Sequence, residues 1–289
     1  MRILVPLALL ALLPACTSSN QDKAPDDTAP DDTAPPAAGT VALGERCPLL
    51  ERIGEITIWE SGPDAYLGGK VYDRADAWYG PPELANSSCA YHRFSTLSCG
   101  TCDAGEVCGY SGECEPEKRA ITDAVLEVSV NGVAQTYVAD PTTGDLYGTV
   151  GLASDLYTLT LSFAGQRIEV PELGLARGVT HLTVGAEGDS MAPGALTATW
   201  TPPAEGGRVS TLVPINHHAA GPTFMRCDVD AAVGRFDADA AMLEPLAVVT
   251  GLEFQSVDHT QNAAAYTALG CVDVRLGVQM YVGVDWADE

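Results

Sequence analysis

The chain has 289 residues, and its 15 Lys and Arg stand against 39 Asp and Glu, a formal net charge of −24 at pH 7. That surplus of acid excludes a nucleic-acid binder, because nothing is left to neutralise a row of phosphates. Hydrophobic residues at 46% suffice for a folded core, while nine cysteines are too many for an ordinary reduced protein of this size and point to an oxidising compartment or a metal site.

Arg2 precedes an apolar run from Ile3 to Leu13. Eleven residues fall short of the roughly 20 needed to span a bilayer, so residues 1–15 read as a signal sequence. No other stretch is long and apolar enough to cross a membrane. The run ends in Leu13-Pro14-Ala15-Cys16, which resembles the lipobox of bacterial lipoproteins: Leu at −3, a small residue at −1, then Cys. The resemblance implies that Cys16 becomes the mature N-terminus, bearing a thioether-linked diacylglycerol and an amide-linked acyl chain. One acyl chain binds membranes marginally, whereas two or three anchor stably. Thr17, standing where an Asp would retain such a protein at the inner membrane, implies the outer membrane. The alternative is an ordinary secretory signal with an incidental cysteine, which leaves a soluble exported protein.

After Cys16, residues 17–44 carry Ala24-Pro25-Asp26-Asp27-Thr28, repeated as Ala29-Pro30-Asp31-Asp32-Thr33, and then Ala34-Pro35-Pro36. A segment without apolar periodicity cannot bury enough surface to offset the entropy of ordering. It is expected to be a disordered tether. Spaced prolines favour polyproline II at about 3.1 Å per residue, a reach on the order of 80–90 Å.

Setting Cys16 aside leaves eight cysteines: Cys47, Cys89, Cys99, Cys102, Cys108, Cys114, Cys227 and Cys271. An even number suits disulfides, although the count alone leaves 105 pairings open. The group CGTCDAGEVCGYSGEC has too few apolar residues to form a core and needs bridges to hold it. It resembles the short EGF-like or knottin-like modules of exported myxobacterial proteins. That resemblance implies first-to-third and second-to-fourth pairing, Cys99 with Cys108 and Cys102 with Cys114. Zinc competes for Cys-x2-Cys, but the exported location and the lack of a second such motif argue against it. For the rest, pairing neighbours is simplest: Cys47 with Cys89, and Cys227 with Cys271. Residues 45–118 thus read as a disulfide-rich, irregular or β module.

Beyond it the chain alternates with period two. Leu126, Val128 and Val130 lead into Asn131-Gly132, a strong hairpin signal. Tyr157, Leu159, Leu161 and Phe163 lead into Ala164-Gly165, and Leu196, Ala198 and Trp200 stop at Pro202-Pro203. The final run is longest: Val272, Val274, Leu276, Val278, Met280, Val282, Val284 and Trp286 fall on one face, with Asp273, Arg275, Gln279 and Asp285 on the other. Such strands predict a mainly β chain built from antiparallel sandwiches. Two sandwich regions, 119–190 and 191–289, are expected, divided near Gly188 to Gly194. Asp239 is placed to cap a short turn through Ala240 to Leu243, ended by Pro245. The Gly54-Glu55-Ile56-Thr57-Ile58 start, the Thr199-Trp200-Thr201-Pro202 segment and the late cysteines are similar to myxobacterial envelope lipoproteins, a resemblance that implies no activity.

Common catalytic signatures are absent: there is no Gly-x-Ser-x-Gly, His-Glu-x-x-His, phosphate-binding glycine loop or Ser-x-x-Lys. His217, His218 and His259, with nearby acids, are the residues an unfamiliar hydrolase would use, yet successive strand residues point to opposite faces. Asp228-x-Asp230 and Asp237-x-Asp239 offer oxygens for calcium but miss the calcium-loop pattern. Seven aromatics lie between Trp59 and Phe94, and Trp59, Trp78 and Tyr79 are the candidate binding surface. The expected function is non-catalytic: an outer-membrane lipoprotein, anchored by lipid on Cys16, acting through interaction, adhesion or structure on a protein or glycan partner. No cofactor or metal is expected. A carbohydrate- or calcium-dependent binding module is the alternative.

Overall fold

Asn131 and Gly132 take φ of 50° and 77° and reverse the chain between Val130 and Val133, which face each other. Two residues at positive φ match the right-handed twist of the strands they join. Ala164 and Gly165 make the same turn between Phe163 and Gln166, at 45° and 75°. These hairpins belong to a computed structural model that describes residues 36–61, 64–95, 97–151, 156–215, 223–247, 251–254 and 256–287. Cys16, most of the tether, His217 and His218 lie outside the described residues.

In chain order the strands are β1 (Val41–Leu43), β2 (Arg52–Ser61), β3 (Asp64–Val71), β4 (Leu84–Ala85), β5 (Cys89–His92), β6 (Glu106–Cys108), β7 (Cys114–Pro116), β8 (Val125–Val130), β9 (Val133–Val138) and β10 (Leu146–Gly151). They continue as β11 (Leu156–Phe163), β12 (Gln166–Gly174), β13 (Thr180–Gly188), β14 (Pro193–Thr201), β15 (Arg208–Pro214), β16 (Phe224–Asp230), β17 (Arg235–Ala238), β18 (Ser256–Tyr266), β19 (Cys271–Tyr281) and β20 (Asp285–Ala287). No helix among the described residues is long and apolar enough to cross a membrane.

The main sheet runs β10-β3-β2-β19-β18-β15-β16-β5-β4, with β1 on the β15 side of β18. Two four-stranded sheets, β12-β11-β8-β9 and β17-β14-β13-β20, lie against one of its faces. The first covers Ile56, Ile58, Val272, Val274 and Leu276, and the second covers Val209, Val213, Met225 and Val257. Alternation explains this selection, since only every second residue of each strand turns to the core. Among the described residues β2 with β19, and β13 with β20, pair parallel, and the remaining pairs are antiparallel.

The fold class is the expected one, while its partition differs. Residues 36–289 form one compact unit. The division near Gly188 to Gly194 falls at the tip of the β13–β14 hairpin, where Gly188 pairs with Pro193. Two cores exist because two small sheets share one large one, not because the chain makes two sandwiches. Nor is 45–118 a separate module, for β2, β3 and β5 belong to the main sheet. The final alternating run also divides: β19 ends at Tyr281, and Asp285–Ala287 joins the other sheet beside β13. The turn at Ala240–Leu243 forms, but the Asp239 side chain makes no cap bond and instead accepts from Asn86 Nδ2 at 3.1 Å.

All eight cysteines are bridged. Cys99 joins Cys108 and Cys102 joins Cys114, around the small β6–β7 hairpin. The other two bridges correct the neighbour pairing: Cys47 joins Cys271 and Cys89 joins Cys227. Register is the reason. Cys89 and Cys227 sit directly opposite each other on β5 and β16, and β1 lies beside β18, bringing the following Cys47 to the start of β19.

Candidate binding face of the main sheet

The face of the main sheet turned away from the two cores carries the other half of each strand. Here the pairing aligns Arg275 of β19 with Thr57 of β2 and Asn262 of β18. One step along, Gly277 lies between Trp59 and Thr260. Neighbouring strands are about 4.8 Å apart, so charges far apart in sequence become neighbours.

Five arginines and four carboxylates meet there. Arg46 places Nη1 3.1 Å from Asp228 Oδ2 and Nη2 3.4 Å from Asp273 Oδ2. Arg226 donates to Asp228 Oδ2 at 2.7 Å, and Arg208 donates to the same carboxylate. Arg275 spans Glu55 Oε1 at 3.3 Å and Asp258 Oδ2 at 2.9 Å, while Arg52 approaches Glu55 at 3.3 Å and Asp273 at 3.6 Å. Asp273 also accepts from the Cys47 backbone N–H at 2.6 Å. Five positive and four negative charges leave the group at +1, in a chain at −24.

Titration follows from this crowding. Burial, together with Arg275 and Arg226, lowers Arg46 to about 10, against the pull of Asp273 and Asp228. Burial alone would raise Glu55 and Asp228, yet the surrounding guanidiniums outweigh it and hold both below the usual carboxylate range. Arg275 is raised: burial acts to lower it, and Glu55 and Asp258 overcome that. Among the described residues, Nε of Arg46, Nε of Arg275 and Oδ1 of Asp258 are buried with no hydrogen-bond partner. Buried polar atoms are seldom left so.

Two clefts open on this face. One, of about 440 Å³, is walled by Arg46, Arg52, Arg226 and Arg275 with Glu55 and Asp258, and by Tyr79 and Phe224. The second, of about 380 Å³, has Trp59, Tyr66 and Tyr281 around Thr57, Thr260 and Gly277. Arg275 and Asp258 belong to both.

The candidate aromatics therefore separate. Tyr79 stands edge-on to Phe224 at 5.7 Å in the first cleft, and burial raises its phenol. Trp59, 42% exposed, lies in the second. Trp78 is equally exposed but lines neither. Tyr281 was not foreseen; it is 79% exposed and donates through Oη to Gln279 Oε1 at 2.9 Å. The arginine group was not foreseen either. Asp273 and Arg275 alternate with Val272, Val274 and Leu276 as the polar side of any half-buried strand does, so the sequence carried no separate signal for it.

The other expected ligand groups are committed elsewhere. His259 is fully buried, with Nε2 2.8 Å from the Gly206 carbonyl. Asp230 caps a turn by accepting from Ala232 N–H, and Asp237 pairs with Arg235. The sulfurs of Cys99, Cys102 and Cys114 lie within 4.8 Å of one another, but each is bonded in a disulfide and offers no thiolate.

No protein-family model and no curated protein matches the chain. Among solved structures, the N-terminal periplasmic domain of ScsB from Proteus mirabilis aligns at 9% identity over 78% of this chain and 91% of that one, with a TM-score of 0.15.

Proposed function

We propose that this is an exported binding protein, anchored at the outer membrane by lipid on Cys16 and held off it by the tether, that recognises an anionic ligand on the open face of its main sheet. It acts by binding and not by catalysis. The Leu13 to Cys16 motif supports the anchor, and four disulfides suit an oxidising compartment.

The observation that carries the binding reading is the lining of the first cleft, four arginines against two carboxylates. Asp228 and Asp273 lie outside that lining but pair with Arg46, Arg52 and Arg226, so the surplus left to meet a ligand is the single positive charge of the whole group. The acid elsewhere on the chain is screened beyond about 8 Å at physiological salt. Guanidinium groups bind carboxylate or phosphate through paired N–H donors.

The anchor is tested by fractionating cells that express the intact protein or Cys16→Ser. The wild type should sediment with membranes and incorporate labelled palmitate, and the variant should do neither. A variant that stays membrane-bound and labelled overturns the anchor. The anion site is tested by calorimetric titration with citrate and inorganic phosphate. Binding should weaken about tenfold in Arg226→Gln, the loss of one charge-assisted hydrogen bond; an unchanged affinity overturns the site.

A further inference from the structure

We infer, resting on that anion-binding reading, that the ligand is an acidic oligosaccharide of the uronate type, laid across both clefts. A sugar carboxylate sits among the arginines of the first, and a neighbouring sugar ring packs on the aromatics of the second.

Continuity is the first reason. Arg275 and Asp258 wall both clefts, so a ligand entering one already touches the other. Arg275 and Gly277 are two residues apart on β19, about 7 Å along the strand, and Gly277 lies beside Trp59.

The chemistry of the second cleft is the next. A pyranose has a face of C–H groups and a rim of hydroxyls. Trp59, Tyr66 and Tyr281 supply apolar ring surface for the first. For the rim there are two waiting partners: Thr260 Oγ1 and Asp258 Oδ1, both buried and without a partner among the described residues. Thr260 is 3% exposed, so its hydroxyl has little access to bulk water. Glycines at 68 and 277 place no side chain beside Trp59 on this face, and the Trp59 ring lies 3.4 Å from where a Cβ on Gly68 would stand.

Charge settles the acid. A neutral sugar would leave the arginine surplus without an anion, and a small free anion would leave the aromatic cleft empty. A uronate supplies both, with one planar carboxylate per ring to meet the guanidinium donors.

The test titrates the intact protein with oligogalacturonate, its methyl ester, monomeric galacturonate and inorganic phosphate. Oligogalacturonate should bind, the ester about tenfold or more weakly, and the monomer more weakly than the oligomer. Trp59→Ala and Tyr281→Ala should each weaken the oligomer by about tenfold while leaving phosphate affinity unchanged. Both side chains are exposed enough to be removed without unfolding, which equal thermal midpoints would verify. Phosphate binding without oligosaccharide binding overturns this inference and leaves the anion site standing. Equal affinity for acid and ester, or oligomer binding indifferent to both aromatic variants, also overturns it. Silence with every probe overturns both readings.

Discussion

Arg46 reaches Asp273 across 227 positions of sequence, with Nη2 3.4 Å from Oδ2, and the backbone N–H of the next residue, Cys47, donates to the same carboxylate at 2.6 Å. Cys47 is in turn bonded to Cys271, two residues before that aspartate. An ion pair, a hydrogen bond and a covalent bridge thus fix one short segment to the start of β19.

Asp228 is the anion shared by Arg46, Arg208 and Arg226. Asp228→Asn keeps its volume and removes its charge, leaving crowded guanidiniums uncompensated. Breaking a buried pair in this way costs about 3–5 kcal/mol. A urea titration should show that loss; a change under about 1 kcal/mol is the behaviour of a solvated surface pair and would contradict the burial described.

The same group dictates a response to acid. Glu55 and Asp228 are held below their ordinary values of 4.5 and 3.8. As pH falls the unfolded chain takes up these protons first, so the contribution is complete above the ordinary values and drains away as pH drops through the lower, folded ones. Stability should therefore begin to fall below about pH 4.5, and the fall should be shallower in Asp228→Asn. Denaturant midpoints between neutral pH and pH 2 would check this, and parallel curves for the two proteins would refute it.

Bridge removal should be graded by loop length. Cys47 and Cys271 are 224 residues apart, Cys99 and Cys108 only 9. Restriction of the unfolded chain gives about 5 kcal/mol for the first and about 3 for the second. Replacing Cys47 and Cys271 together by Ser should lower the melting temperature more than replacing Cys99 and Cys108. The reverse order would mean that the small hairpin contributes more than its loop.

Gly277→Ala should disturb both fold and face. A Cβ there would come 2.0 Å from the His259 carbonyl oxygen and 2.8 Å from Thr260 Cα, so backbone has to shift. A loss of about 1–3 kcal/mol is expected for such overpacking. Amide exchange should quicken in β18 and β19 while the hairpin at Asn131 stays unchanged.

Local pattern made the strands legible. The even spacing of Leu126 to Val130 and of Tyr157 to Phe163 placed both sets in a core, and Asn131-Gly132 placed the turn between β8 and β9. Pairing was not legible, because nothing near Arg52 in sequence announces a parallel partner at Cys271. The neighbour rule for Cys47, Cys89, Cys227 and Cys271 failed for that reason. Arginines suffered likewise: each taken within its own strand looks like a solvated position, and only register gathers them into one cleft. Trp59 and Tyr79 were visible as aromatics, though not that they would stand in different clefts.

The point where β1 and Cys47 enter the fold also has a mechanical meaning. Tension arriving from the residues before Pro36 meets three rungs of β1 on β18 and then a covalent link into β19, both in the interior of the main sheet. A pull there loads the short β1 first, and beyond it the Cys47–Cys271 bridge passes the load to β19, which is paired on both sides. Under the proposed anchor on Cys16, this is the point at which a load from the membrane would enter the fold.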